Sequence, residues 1–214
     1  MRLRKWKTIV FIILVAGAVP LLTADIASAW VCDFMTGGGW IVYNGNKGTF
    51  GVGGGCKHGS GTNGVPYWGH LEYHDHGYNP SVTNGQGLNV HWTSITGYME
   101  IDTQASSDKD PKRTGARWIC GTARTNLPFP NDNVNFVVYA RDGGEPGVND
   151  TFDIYLRNQT THAIVYDTLS ECGPHYLGSY APCSPGDGGG GNIQLHKPNP
   201  STTGPDGGGG YCDF

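Results

Sequence analysis

Apolar and polar residues alternate along much of this chain with a period of two. That spacing turns one face of a strand toward a core and the other toward solvent. Residues 68–74 (WGHLEYH) and 151–156 (TFDIYL) follow it clearly, and residues 134–140 (VNFVVYA) are apolar enough for a strand covered on both faces. Further β-prone runs cover 88–92, 97–101, 117–123, 162–167 and 192–196. Residues 39–43 and 49–52 flank Asn-Gly-Asn-Lys-Gly, a hairpin signal. No segment keeps a 3.6-residue period between helix caps, so little helix is expected. The polar stretch 104–114 reads as an exposed loop. The pattern predicts an all-β domain over 30–198, an antiparallel β-sandwich or jelly-roll-like fold.

The first 29 residues break the pattern and read as a secretory signal peptide. Arg2, Arg4, Lys5 and Lys7 precede an apolar run at 8–22, which is short for a ~30 Å hydrocarbon core. Ala27-Ser28-Ala29 has the small-x-small form of a cleavage site. The expectation is a secreted bacterial protein, extracellular or at the cell surface, with no membrane span once the signal is removed. Cleavage also removes four basic residues, making the chain more acidic than its formal charge of −4. A chain without a basic excess is poorly suited to nucleic acid. Charged residues are 15% and glycines number 35, which disfavours a helical bundle.

All six cysteines lie after the signal, and an even count in an exported chain implies disulfides. Six cysteines allow fifteen connectivities; the best single pair is Cys172–Cys183, which would staple a Gly-, Pro- and Ser-rich loop, Cys32–Cys56 could close the first hairpin, and Cys120–Cys212 would then follow by elimination. No C-x-x-C pair exists to suggest a zinc ribbon or thioredoxin chemistry.

Several short motifs, taken in order, carry a family resemblance. They are Thr36-Gly37-Gly38-Gly39-Trp40-Ile41, Gly48-Thr49-Phe50-Gly51, Gly69-His70-Leu71-Glu72-Tyr73 with His74-Asp75-His76, and Gly121-Thr122-Ala123-Arg124. Then come residues 142–147 (DGGEPG), 150–154 (DTFDI) and 191–196 (GNIQLH). In this order they resemble the post-COAP-1 type domain of secreted bacterial proteins. The resemblance implies an extracellular β-rich module, often joined to other surface domains, without an established enzymatic activity. This chain departs from it in its six cysteines and its Gly-rich end.

Two clusters are candidate metal sites. His70, Glu72, His74 and His76 fall on one face of a predicted strand, and His70, His74 and His76 are candidate transition-metal ligands. His91 and His196 are possible additions. The same histidines also suit a hydrogen-bonded strand surface. Asp142, Glu145, Asp150 and Asp153 surround a Gly/Pro-rich loop and are candidate Ca²⁺ ligands, although their spacing is not that of an EF-hand. The alternative is a plain turn stabilised by Asp and Gly. Hydrolase elbows, zincin motifs and P-loops are absent from the sequence, so no catalytic residues are assigned and a non-enzymatic role is expected. The many aromatics, Trp40, Trp68, Trp92 and Trp118 among them, suit either a core or a sugar-stacking face.

Residues 199–214 form a Gly-rich stretch expected to be flexible. Both ends of the mature chain carry Cys-Asp-Phe, at 32–34 and 212–214. The repeat points to a self-assembling extracellular subunit whose Tyr211, Cys212 and Phe214 engage the edge strand of a neighbour. The alternative is a carbohydrate- or Ca²⁺-binding adhesion module acting on surface glycans or proteins.

Overall fold

A computed structural model describes residues 30–57, 67–186, 189–199, 203–204, 208–210 and 212. The expected signal peptide at 1–29, and Tyr211 and Phe214, lie outside the described residues. The described residues form thirteen strands and one short helix. They are β1 (Trp30–Val31), β2 (Phe34–Tyr43), β3 (Asn46–Cys56), β4 (Tyr67–Asp75), β5 (Leu88–Gln104), β6 (Thr114–Thr125) and β7 (Asn133–Asp142). There follow β8 (Thr151–Asn158), β9 (Ile164–Asp167), α1 (Leu169–Cys172), β10 (His175–Tyr176), β11 (Gly191–His196), β12 (Thr203–Gly204) and β13 (Gly208–Gly210). The all-β, disulfide-bonded class read from the sequence is the class of the structure.

Eleven strands make one antiparallel sheet in the order β10-β8-β7-β6-β5-β4-β3-β2-β11, with β9 added to β8 and β13 to β5. Most neighbours follow one another in sequence, so the sheet is largely a meander. Its first turn is the predicted hairpin: Asn44 and Gly45 both have positive φ, as a tight two-residue turn requires. The strands around it are longer than the hydrophobic pattern suggests, because glycine-rich segments at both ends also pair. The runs 88–92 and 97–101 belong to a single strand, β5. Register shifts after Trp92, Ile95 and Glu100 interrupt its alternation, which is why it reads as two.

The sheet curls until its two halves face each other. Phe50 on β3 stacks on Phe152 on β8 with ring centroids 3.7 Å apart. Around this contact the inward side chains of β2–β4 and β6–β8 interdigitate, among them Met35, Val52, Leu71, Phe136, Ile154 and Leu156, all at most 1% exposed. A smaller cluster of Cys120, Val137 and Tyr155 lies apart from this core, with Trp118 and Cys212 packed against it.

All six cysteines are paired within the chain, as Cys32–Cys56, Cys120–Cys212 and Cys172–Cys183. Such bonds belong to an oxidising compartment. Among the described residues no helix is long and apolar enough to cross a membrane. The C-terminal segment is seated on its own domain: β12 pairs with β1, β13 pairs with β5 at Gly97–Met99, and Cys212 is bonded to β6.

Candidate functional site

Strand pairing sorts the outward-facing residues of β2–β5 into rows. Gly38, Gly51, Glu72 and His91 lie side by side across the four strands. Trp40, Thr49, His74 and Asn89 form the next row, and Thr36, Gly53 and His70 flank it on the other side. Because Gly51 has no side chain, the middle row has a gap. A recess of about 230 Å³ lies there, lined by Thr49, Gly51, Glu72, His74, Asn89 and His91. A Cβ built on Gly51 meets nothing within 4 Å, so the recess is open over its backbone.

Its polar groups are ordered by one another. Glu72 Oε1 is 2.5 Å from His91 Nδ1 across the strands. His74 donates from Nε2 to the Gln86 carbonyl at 2.9 Å. His76 shares a hydrogen bond with Thr49 Oγ1 at 3.1 Å and stacks on His74 at 4.1 Å. Burial, with help from neighbouring His74 and Lys47, lowers the His76 pKa and keeps that ring neutral at pH 7. Aromatic rings bracket the face. Trp40 is half-buried, with Lys47 Nζ 4.5 Å from its ring and Tyr180 at 5.2 Å. On the far side Phe34 stacks on His196 at 4.2 Å and leans on Trp68 at 5.8 Å.

The expected sharing of one face by His70, Glu72 and His74 is present. His76 lies beyond the end of β4, in the turn. The three histidines named as metal ligands do not converge: among the described residues, the one group of three His, Cys, Asp or Glu ligand atoms within 4.8 Å of each other is Cys172, His175 and Cys183, whose sulfurs are bonded together.

The acidic loop is a clasp on β11. Ile193 N–H donates to Asp150 Oδ2 at 2.6 Å and Leu195 N–H to Asp142 Oδ2 at 2.8 Å. The other oxygens accept Gly143 and Gly144 N–H. β11 has a strand on one side only, so these two buried carboxylates stand where a further strand would accept its amides. Glu145 is exposed and takes Asn192 Nδ2 at 3.3 Å. Burial pushes the Asp150 pKa up to about 6 against its two amide bonds, with Asp142 and Glu145 adding to the rise. Asp153, expected with this group, serves another. It binds the His175 ring at 2.6 Å, His175 N–H and the Thr168 hydroxyl.

Two polar centres were not picked out from the sequence. Arg117, fully buried, forms a bidentate pair with Asp33. The Asp153–His175 pair extends to Glu171, 3.0 Å from His175 Nε2. Burial lowers the His175 pKa, but hydrogen bonds to the two carboxylates outweigh it and hold the pKa above the usual value. Their partners are remote in sequence. The one local signal was Glu171 four residues before His175, beside Cys172.

No protein-family model matches the chain, and neither a curated protein nor a solved structure was found to match it.

Proposed function

We propose that this chain is an extracellular, non-enzymatic interaction module that binds carbohydrate on the outer face of β2–β5. The observation that supports the reading best is the recess over Gly51, where ordered polar groups lie beside the half-buried Trp40 ring and the exposed Tyr180. Sugars present hydroxyls to groups such as Glu72, His91 and Asn89, and apolar C–H faces to rings such as Trp40. A glycine floor lets a ring approach the backbone closely. The resemblance to post-COAP-1 type domains implies the same kind of extracellular module. The non-enzymatic part rests on His175, the most triad-like group: both its ring nitrogens face carboxylates, leaving none for a nucleophile.

A glycan array followed by calorimetry on the best binder tests this. A Cβ at Gly51 meets nothing within 4 Å, so Gly51→Val is expected to occupy the recess, keep the fold and abolish binding. Trp40→Ala is expected to weaken binding. An array with no binder for the folded protein, or undiminished binding by Gly51→Val, overturns the proposal.

A second reading is a self-assembling subunit that exchanges its C-terminal strands. It is favoured by β12 and β13, short strands added to β1 and β5 from a glycine-rich segment, since such elements can swap between copies. Electron microscopy with non-reducing gels decides it. Filaments or disulfide-linked ladders support exchange, and monomers with an internal Cys120–Cys212 bond refute it.

A further inference from the structure

A second recess, of about 410 Å³, lies at the start of β6, away from the β2–β5 face. Lys112, Arg113 and Thr114 line one part of it, and Asp142, Glu145 and Gln194 another. Arg113 is only 6% exposed, yet its guanidinium is poorly bonded. Among the described residues its Nε has no hydrogen-bond partner. One terminal nitrogen donates to the Asp108 carbonyl at a long 3.4 Å, and the other is 3.7 Å from Asp33 Oδ2. Asp33 is already occupied by Arg117 and the Tyr98 hydroxyl. Burying a guanidinium with one long carbonyl bond and a shared ion pair is unfavourable.

The facing carboxylates differ from each other. Both oxygens of Asp142 accept backbone amides, from Gly144 and Leu195. Glu145 is exposed and takes one 3.3 Å bond from Asn192. The recess therefore presents a cation short of an acceptor and a carboxylate short of donors. A phosphate or sulfate dianion meets that argument badly, because Asp142 and Glu145 repel it. A monoanion with a neighbouring hydroxyl or ammonium satisfies both sides.

We propose that this recess binds a small carboxylate ligand, with the carboxylate on Arg113 and a hydroxyl or ammonium donor directed to Glu145. Two sources share this chemistry, a sugar acid and the carboxyl end of an amino acid or peptide. Calorimetry with glucuronate and with glycylglycine separates them. One of the two is expected to bind, and its methyl ester is expected to bind at least tenfold more weakly, an effect of the size expected for a charge-assisted bond at about one to two decades in Kd. Arg113→Gln is expected to weaken binding by a similar factor. Glu145→Gln, at an exposed position, is expected to keep the fold and weaken binding several-fold. Gly51→Val is expected to leave this affinity unchanged, which separates the recess from the carbohydrate face. Absence of binding by both compounds overturns the proposal, as does an ester that binds like its acid. If Arg113→Gln does not fold, the ester and Glu145→Gln comparisons decide alone.

Discussion

Replacing Asp33 by alanine tests what the buried charges do for this fold. Asp33 sits between the Cys32–Cys56 disulfide and β2, with its side chain 2% exposed. It accepts the Tyr98 hydroxyl at 2.7 Å, Arg117 Nε at 3.1 Å and Arg117 Nη2. Without it, Arg117 keeps bonds to the Asp102 and Ala116 carbonyls and to Thr103 Oγ1, each 2.7 Å, but no counter-ion of comparable contact. Breaking one side of such a pair costs about 3–5 kcal/mol, because the remaining charge stays buried. That is a large part of the ~5–15 kcal/mol total for a domain. With a urea m-value near ~2 kcal/mol/M, the denaturation midpoint falls by roughly 1.5–2.5 M. Removing both charges has a different consequence. Asp33→Ala with Arg117→Met removes both members of the bidentate pair but leaves the buried Arg113 without the carboxylate 3.7 Å from it, and the double variant is expected to recover part of the loss, with about 1–2 kcal/mol more forgone for the stranded Tyr98 hydroxyl. Urea titrations of the three proteins, each checked for intact disulfides by mass, give the answer. An Asp33→Ala protein within about 1 kcal/mol of wild type refutes the reasoning, as does a double variant no more stable than the single.

Three further outcomes follow from the same geometry. The Asp150 pKa of about 6 lies above its unfolded value, so its favourable contribution is full below about pH 4 and is lost as pH rises through 6. Between about pH 7 and pH 4 the stability of wild type relative to Asp150→Asn is expected to rise by roughly 2–3 kcal/mol, and denaturation at both pH values with no such change counts against it. The Cys120–Cys212 bond closes a separation of 92 residues and Cys172–Cys183 one of 11, so removing the first by paired Cys→Ser changes is expected to destabilise by about 2 kcal/mol more in the chain-entropy picture, read by thermal melts. Deleting residues 199–214 together with Cys120→Ser uncovers the β5 edge at Gly97–Met99 and the Val137–Tyr155 cluster, and light scattering is expected to show concentration-dependent association; a strictly monomeric product contradicts the covering role given to the tail.

The parts of the fold legible in the sequence are those set by near neighbours. Alternation in WGHLEYH placed His70, Glu72 and His74 on one face, and the Asn44-Gly45 turn fixed the hairpin and with it the register of Gly51 against Gly38. The recess itself was not legible, because it depends on a missing side chain at Gly51 standing in one row with Glu72 and with His91, which is forty residues away. The same holds for Arg117, whose partner Asp33 is 84 positions distant. The acidic loop misled for a related reason. Asp142, Glu145 and Asp150 are close in sequence and interact, which resembles a cation loop, but the amides that engage two of them come from β11, more than forty residues on. The first Cys-Asp-Phe copy is likewise engaged within its own domain: Cys32 bonds Cys56 and Asp33 pairs with Arg117 inside it, while Phe34 stacks on His196 on the outer face.

These long-range contacts bear on which surface is available to a partner. A sheet offers a partner either a face or an edge, and an edge binds through its unpaired amides and carbonyls. Here the two ends of the sheet meet at one residue. The Asp150 side chain accepts the Ile193 amide of β11, while its backbone carbonyl accepts Leu177 N–H just after β10. Trp40 joins the same seam, donating its N–H to Gly190 O and accepting Gly178 N–H. β13 pairs β5 at Gly97–Met99, beyond the part covered by β4. A partner that adds a strand at this seam or to β5 at Gly97–Met99 must first displace Asp150, Trp40 or the disulfide-anchored tail, whereas a ligand on the β2–β5 face displaces none of them. The Trp40 backbone closes the seam and its ring lies on that face, so the strand that seals the domain also presents the surface assigned to carbohydrate.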